Sequence, residues 1–321
     1  MRSNRETTTM EDRLMENLIR EIFADAGLGA VGVVHKEGVG FSNHVYSIDG
    51  RYVFKTGKSE EDEEYLRRDA YLCSLLADRI PAPRIIKSGF SGKLVGKFYM
   101  IYQRIPGENL YSKWHLLNEV ERRELTRQVC RILRLINDTP YEGFAREFHI
   151  DEERSWHDRI CSSISDWLDK DAARGFMPPE LVAATREFME KNGGALRSQR
   201  IALTYWDPHF DNLIVSDDNR IAGILDYERT DVLSIDYVLD LVRRMALRPG
   251  KYASEYSERF ARPEDYSCLM RWYEEFYPEL FEFEDLGTRL DIYSVEHSLA
   301  EIFYYPEGTE ARQELVQCIG R

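Results

Sequence analysis

Residues 204–228 contain the side chains whose spacing is most typical of a catalytic centre. Asp207 is followed five residues later by Asn212, and a short apolar strand predicted at Ile221–Leu225 ends in Asp226. One carboxylate can accept a proton from a substrate hydroxyl, while an amide oxygen and a second carboxylate can hold Mg²⁺ on nucleotide phosphates. The spacing therefore favours phosphoryl transfer. Asp and Asn are also common in turns, so the segment alone is equally compatible with loop chemistry.

The overall composition is that of an ordinary globular enzyme without a basic surface. The chain has 321 residues, of which 31% are charged, and its net charge is −14. A nucleic-acid-binding protein would need a basic footprint, whereas an acidic chain favours cationic partners. The five cysteines are scattered and form no CxxC pair, which predicts free thiols in a reducing cytoplasm. We expect no signal peptide and no membrane-spanning segment.

Hydrophobic periodicity divides the chain into a β-rich part, residues 1–103, and a mainly helical part, residues 104–321. The elements predicted in the first part are helices at 11–26 and 60–77 and strands at 31–34, 45–48, 52–55, 84–89 and 97–103. Those predicted in the second part are helices at 119–137, 151–170, 179–192, 238–246, 263–277 and 290–303, with short strands near 201–204, 214 and 224. This order predicts an α+β fold with two lobes.

Two features of the β-rich part could contact phosphates. The loop 38–43 contains two glycines between predicted strands, so its backbone N–H groups could approach a phosphate, although an ordinary hairpin loop has the same pattern. Strand alternation turns Lys55 inward, where a buried ammonium needs a partner. Asp69 and Glu64 of the following helix are both candidates, and a lysine that reaches solvent at the strand end is the alternative.

Taken together, these features resemble the aminoglycoside phosphotransferase and choline kinase superfamily, which has a protein-kinase-like fold. The residues that carry the resemblance are Gly38-Val39-Gly40, Lys55, Arg68-Asp69, Pro81-Ala82-Pro83, Pro106-Gly107, Asp207 with Asn212, Asp226, and Asp236 with Asp240-Leu241. The resemblance covers about residues 30 to 245. It implies a nucleotide-binding N-terminal lobe at 1–103 and a helical lobe at 104–321 that carries the catalytic loop and the acceptor site.

The resemblance also implies a role for each matching residue. Asp207 is expected to be the catalytic base, Asn212 and Asp226 to bind Mg²⁺, and Lys55 to contact the phosphates of ATP or GTP. The other nucleotide-binding residues that it implies are Gly38, Gly40, Ser42, Asn43, Asp69, Tyr102, Gln103 and Ile105. Among them, residues 103–105 match the hinge whose backbone reads the nucleobase. A bulky Tyr102 before this hinge predicts that GTP is accepted at least comparably to ATP; the alternative is that Tyr102 turns into the core and ATP is used normally. Asp236 and Asp240 are expected to be structural.

Three departures from the family pattern concern the surroundings of the reacting groups. Tyr205-Trp206 replaces His-Gly, so Tyr205 is expected to brace the loop and Trp206 to shape the substrate pocket. Asn137 replaces a histidine, and Asp69 replaces a glutamate that is one methylene longer. None of these changes removes the base or a metal ligand. An active kinase is therefore favoured over the alternative of a nucleotide-binding pseudokinase.

Acidic and aromatic residues near the C-terminus predict a cationic acceptor. Carboxylates there could pair with ammonium groups, and neighbouring rings could add cation–π contacts. The residues expected to bind the acceptor are Trp206, Glu228, Trp272, Glu274 and Glu275. The alternative is a solvated acidic surface over an aromatic core. The predicted acceptor is an aminoglycoside or another antibiotic, and choline, an amino alcohol or a sugar is the alternative.

Overall fold

The computed structural model describes residues 10–37, 43–59, 61–94, 97–252 and 258–320. The chain divides into two compact units, the first made of residues 1–108 and 214–229 and the second of residues 109–213 and 230–321. The first unit thus includes the segment 214–229, which follows the predicted catalytic motif in sequence. In the part of the chain that the structure describes, no helix has the length and apolar character needed to cross a membrane.

Ten strands are present in the described residues. They are β1 Val34–Lys36, β2 Asn43–Ile48, β3 Tyr52–Gly57, β4 Ile85–Phe90, β5 Phe98–Gln103, β6 Glu108–Asn109, β7 Ile201–Tyr205, β8 Leu213–Val215, β9 Ile221–Ile224 and β10 Thr230–Ser234. Strands β1 to β5 form an antiparallel sheet in the order β1-β2-β3-β5-β4 in the first unit. This sheet is the scaffold for the residues predicted to bind the nucleotide.

One helix packs on each face of this sheet. Helix α1, Met10–Asp25, covers one face and shares with it a core that includes Phe23, Phe54 and Ile101. Side chains alternate along a strand, so the neighbours of Phe54 on β3 point to the opposite face. Helix α2, Glu61–Leu76, contacts β3 and β5 there. The inward direction of Lys55, which lies next to Phe54 on β3, is therefore a direct consequence of the strand period.

Two glycines let the segment after β5 approach β8 and β9 closely. Gly107 has φ +136°, and a Cβ atom at this position would lie 2.5 Å from the carbonyl oxygen of Val215. A Cβ atom on Gly223 would lie 2.4 Å from the Cδ1 atom of Ile105. No side chain fits at either distance, so both positions require glycine. The segment 103–107 is consequently held against β8 and β9 within the first unit.

The second unit is mainly helical. Its helices are α3 Leu110–Trp114, α4 Glu119–Asn137, α5 Glu142–Glu147, α6 Trp156–Arg174, α7 Pro179–Asn192, α8 Val238–Leu247, α9 Leu269–Phe276, α10 Leu286–Tyr304 and α11 Glu310–Ile319. Asn118 and Glu121 form a capping box that fixes the start of α4. Strand β7 pairs antiparallel with β10, with Tyr205 opposite Thr230. Because β7 ends at Tyr205, the predicted catalytic motif begins at a fixed point of this pair.

Candidate active site

Lys55 is buried between two carboxylates of the first unit. Its Nζ atom donates to Oδ2 of Asp69 and to Oδ1 of Asp226, each at 2.8 Å. Burial alone would lower the pKa of Lys55, but the two carboxylates hold it well above its usual value. The ammonium is therefore charged and rigidly placed, which is what a residue that neutralises phosphate charge requires.

Asp69, rather than Glu64, is the helix carboxylate that pairs with Lys55. Its side chain is 2% exposed, and its Oδ1 atom accepts from the backbone N–H of Tyr227 at 3.1 Å and from the thiol of Cys73 at 3.4 Å. Glu64 instead accepts from Arg68 at the surface of α2. The shorter Asp side chain thus reaches Lys55 and also holds the turn after Asp226.

Asp226 is held in an unusual backbone conformation at the end of β9. Its φ angle is +65°, in the left-handed region that few non-glycine residues adopt and that costs of order 1–2 kcal/mol. The hydrogen bond from Lys55 fixes its side chain, and the bond from the next residue, Tyr227, to Asp69 fixes its backbone. Such strain is typical of functional positions. The Asp226 side chain remains 36% exposed, so its second oxygen is accessible.

Glu228, which the sequence predicted to bind the acceptor, is 8% exposed and contacts a predicted nucleotide-binding residue instead. Its Oε2 atom accepts from Nδ2 of Asn43, the first residue of β2, at 2.8 Å. Burial and the nearby Asp226 carboxylate raise the pKa of Glu228 to about 7. Gly38, Gly40 and Ser42 lie outside the described residues. Sequence reasoning missed the Asn43–Glu228 hydrogen bond, because no local pattern connects positions 185 residues apart.

The hinge residues lie at the end of β5. Tyr102 is buried on the same face of the sheet as Lys55, and burial raises the pKa of its phenol. Gln103 is exposed, and its backbone N–H donates to the carbonyl of Arg84. Ile105 lies against Gly223 on β9. These contacts order the segment whose backbone is predicted to read the nucleobase.

In the second unit, the predicted catalytic motif forms a turn in which Asn212 supports Asp207. Nδ2 of Asn212 donates to the backbone carbonyl of Asp207 at 3.1 Å, and the Asn212 N–H donates to the carbonyl of His209 at 2.9 Å. Because one end of the amide is committed to this bond, its Oδ1 atom points away and can act as a ligand. The Asp207 carboxylate is 24% exposed, with Nε2 of His209 at 3.9 Å. A carboxylate in this setting can accept a proton from a substrate.

Asn137 and Tyr277 brace the strand that leads into this turn. Nδ2 of Asn137 donates to the carbonyl of Leu203 at 2.8 Å, and the Tyr277 hydroxyl donates to Oδ1 of Asn137 at 2.8 Å. Tyr205 is buried at the strand end. The ring of Trp206 packs edge-on against Tyr237, with centroids 5.5 Å apart. The half-buried Trp206 is therefore held in place beside Asp207.

A buried arginine anchors the segment after β10. Both oxygens of Asp236 accept from Arg289, at 2.7 and 2.9 Å, and Oδ2 also accepts from the Tyr293 hydroxyl at 2.9 Å. Asp236 and Arg289 are both fully buried. Asp240 likewise accepts from Ser294 at 2.6 Å and pairs with Arg244. Both aspartates are thus engaged in buried ion pairs within the second unit, which is compatible with the structural role predicted for them. Arg289 itself was missed, although an arginine within an apolar helical pattern is a visible signal.

The residues predicted to bind the acceptor near the C-terminus differ in exposure. Trp272 is 2% exposed and belongs to the core, which leaves almost no ring surface for a ligand. Glu274 and Glu275 are exposed on α9, and Glu275 pairs with Arg123 of α4. Arginines thus neutralise part of the acidic surface. The cation–π contacts expected from Trp272 are not supported by this placement, whereas the carboxylates remain accessible.

Comparison with known proteins identifies the class of enzyme. A sequence model described as the phosphotransferase enzyme family matches residues 37–266. The chain belongs to this family and is a phosphotransferase, which confirms the family and the enzyme class predicted above. No curated protein matches the sequence at a significant level.

Solved structures of aminoglycoside phosphotransferases have the same fold. The GDP complex of aminoglycoside 2′-phosphotransferase-IIIa is 18% identical, with a TM-score of 0.66 over 95% of this chain and 96% of that one. The gentamicin complex of APH(2″)-IIa is 15% identical, with a TM-score of 0.67 over 98% and 97%. A complex of APH(4)-Ia with AMP-PNP and hygromycin B is 17% identical, with a TM-score of 0.67 over 94% and 98%. The predicted α+β, kinase-like fold is therefore confirmed.

Proposed function

We propose that this phosphotransferase moves the γ-phosphoryl group of ATP or GTP to a hydroxyl of a cationic small molecule such as an aminoglycoside. The observation that carries the proposal is the buried Lys55 ammonium, held at 2.8 Å by both Asp69 and Asp226. A lysine with a purely structural role would not need a strained, partly exposed aspartate such as Asp226 as its partner. Such a partner is expected for a lysine whose charge contacts phosphate oxygens. The family relatives crystallised with GDP, gentamicin, AMP-PNP and hygromycin B support the two substrate classes.

The reaction requires a base for the acceptor hydroxyl and neutralisation of the negative charge on the nucleotide phosphates. The acceptor oxygen forms a bond to the γ-phosphorus, the bond from this phosphorus to the bridging oxygen breaks, and the nucleoside diphosphate leaves. The hydroxyl proton passes to the Asp207 carboxylate. Lys55 stabilises the charge on the phosphate oxygens, and Trp206 shapes the surroundings of the base. Positioning and electrostatics supply most of the catalysis in such reactions.

The donor set fits Mg²⁺. Asn212 offers an amide oxygen because its nitrogen is committed to the Asp207 carbonyl, and Asp226 offers the carboxylate oxygen that Lys55 does not bind. Magnesium prefers such hard oxygen ligands. We propose that Asn212 and Asp226 hold the metal, which would neutralise charge on the nucleotide phosphates.

The acceptor is proposed to be cationic because the chain is acidic and Glu274 is exposed on α9. The cytoplasm is the proposed site of action, since all five cysteines are free thiols. Choline, an amino alcohol and a neutral sugar remain competing acceptors. A panel of gentamicin, hygromycin B, choline, ethanolamine and glucose, scored by nucleotide turnover with ATP and with GTP, separates them. Nucleotide binding without turnover on a wide acceptor panel would instead favour the pseudokinase.

Replacement of Asp207 tests the assignment of the base. Asp207→Asn should lower kcat by about 10²–10⁴-fold, because the amide cannot accept the proton, and should leave nucleotide binding within about twofold. Asp226→Ala should weaken metal–nucleotide binding itself. The matched control is Asp211→Asn, the same chemical change in the same turn, which should retain most activity. Near-normal turnover of Asp207→Asn would show that the base lies elsewhere.

A further inference from the structure

The hydrogen bond between Asn43 and Glu228 connects two parts of the first unit that are far apart in sequence. Asn43, the last residue of the predicted phosphate loop, begins β2, and Glu228 lies in the 3₁₀ turn Tyr227–Arg229 that follows Asp226. The two side chains are 5% and 8% exposed, and Nδ2 of Asn43 lies 2.8 Å from Oε2 of Glu228. The hydrogen bond therefore joins two buried side chains that are 185 residues apart in the sequence.

Glu228 determines how the Asn43 amide is oriented. Oε2 of Glu228 accepts the hydrogen bond from Nδ2, so the amide nitrogen of Asn43 and not its oxygen faces Glu228. The other amide atom, Oδ1, is buried and has no hydrogen-bond partner among the described residues. The bond to Glu228 is therefore the polar contact that fixes this side chain. Loss of the carboxylate would free the amide to rotate.

The same carboxylate belongs to the charge cluster around Lys55. Lys55, Asp69, Asp226 and Glu228 interact electrostatically, so that one ammonium faces three carboxylates. A purely structural cluster would balance its charges, as Asp236 and Arg289 do. An acidic excess in a buried cluster is instead suited to a cation such as the Mg²⁺ ion that accompanies a nucleotide.

We propose that Asn43 and Glu228 form a positioning pair for the nucleotide, and that Glu228 does not bind the acceptor. The inference rests on the proposed kinase function and deepens it. The hydrogen bond fixes the start of β2, where Asn43 lies. It also fixes the turn after Asp226, because Glu228 is part of that turn. A carboxylate that is buried and bonded to Asn43 is not available to an acceptor ammonium group. Changes in the pair should consequently appear in nucleotide affinity and not in acceptor affinity.

Reversal of the hydrogen bond tests the pair. Asn43→Asp should place two carboxylates in contact and raise the KM and Kd for the nucleotide by about tenfold or more. Glu228→Gln should have a smaller effect, because the Gln oxygen can still accept from Asn43. The double variant Asn43→Asp with Glu228→Gln has the charge and shape of the wild type, with donor and acceptor exchanged. We expect it to recover nucleotide affinity to within about threefold of the Glu228→Gln variant.

Direct binding of a fluorescent ADP analogue, acceptor KM, kcat and melting temperature should be measured for each variant. A rise in acceptor KM in Glu228→Gln at unchanged nucleotide affinity would assign Glu228 to the acceptor and overturn the proposal. So would a double variant as weak as Asn43→Asp alone, or an Asn43→Asp protein that melts earlier but binds nucleotide normally. These results leave the proposed function intact as long as the wild type binds nucleotide and phosphorylates an acceptor. A wild-type protein that binds no nucleotide would refute that function and the pair together.

Discussion

Asp171 of α6 has a buried carboxylate that lacks a hydrogen-bond partner in the described part of the chain, and its replacement by Asn should stabilise the protein at neutral pH. The residue is 0% exposed, and neither of its oxygens has a partner among the described residues. Burial raises the pKa of Asp171 to about 6, although the guanidinium groups of Arg312 and Arg174 oppose this rise. Asn has the same shape and carries no charge, so the substitution removes the cost of ionising a buried group.

The sign and size of the effect follow from the two pKa values. In the unfolded chain the Asp171 carboxyl has its ordinary pKa of 3.8, so between about pH 4 and 6 the native state binds more protons. Stability therefore falls as pH rises through this window and levels off above the native pKa. Because the native pKa lies about 2 above the unfolded value, ionisation of Asp171 lowers the free energy of unfolding by about 3 kcal/mol at pH 7.5 and by about 0.5 kcal/mol at pH 4. The uncharged Asn amide, left without partners, costs about 1–3 kcal/mol at every pH.

The difference between two pH values isolates the titration. The stability of Asp171→Asn relative to wild type should rise by about 2–2.5 kcal/mol from pH 4 to pH 7.5, because the constant cost of the amide cancels. Urea unfolding followed by tryptophan fluorescence is a suitable assay. All five tryptophans lie in the second unit, which contains Asp171. The control is Asp169→Asn, whose carboxylate is 66% exposed and pairs with Arg186. The reasoning would be refuted if the stability difference between Asp171→Asn and wild type were the same at pH 4 and pH 7.5. It would also be refuted if Asp169→Asn showed the same change with pH as Asp171→Asn.

Two predictions concern the substrates. Tyr102→Met should shift the nucleotide preference from GTP towards ATP, because the bulky buried ring beside the predicted hinge is removed. Competition between GTP and ATP measures this preference. An unchanged ratio of GTP to ATP use would show that Tyr102 does not select the base. The double variant Glu274→Lys with Glu275→Lys should raise the acceptor KM at unchanged nucleotide affinity, and the wild-type acceptor KM should rise with salt because exposed charges are screened. Glu152→Lys with Glu153→Lys, an exposed pair in the same unit, is the control; a KM indifferent to salt or equal effects of both pairs would contradict the cationic-acceptor assignment.

Elements with strong local signals were predictable from the sequence. Helices 119–137 and 179–192 begin and end where they were predicted, because an Asn118 capping box starts the first and a proline at its first turn starts the second. The first strand was predicted at 31–34 but lies at Val34–Lys36. The helix predicted from residue 263 begins at Leu269, because Pro263–Asp265 forms only a single 3₁₀ turn. Local patterns do not determine where such short elements stop.

Side-chain partners could not be chosen from spacing alone. Glu64 and Asp69 are five residues apart on one helix and therefore face directions about 140° apart, so only the packing of α2 against the sheet decides which one meets Lys55. The structure places Asp69 inside and Glu64 outside. The same limit applies to Glu228 and Trp272, which were predicted to contact the acceptor. In the structure Glu228 is buried and bonded to Asn43, and Trp272 is buried in the core.

Burial of a charge is not by itself a sign of function in this protein. Asp236 is fully buried, but Arg289 satisfies both of its oxygens, so this pair needs nothing further. Asp171 is buried, and its carboxylate has no hydrogen-bond partner within the residues that the structure describes, yet its effect is a local cost that protonation relieves. Around Lys55, by contrast, several carboxylates converge on one ammonium, and the most exposed of them is held at a positive φ angle. Neither protonation of one group nor rotation of one side chain would balance that cluster. A bound metal cation would, and this is the physical reason to expect the Mg²⁺ ion of the nucleotide substrate there.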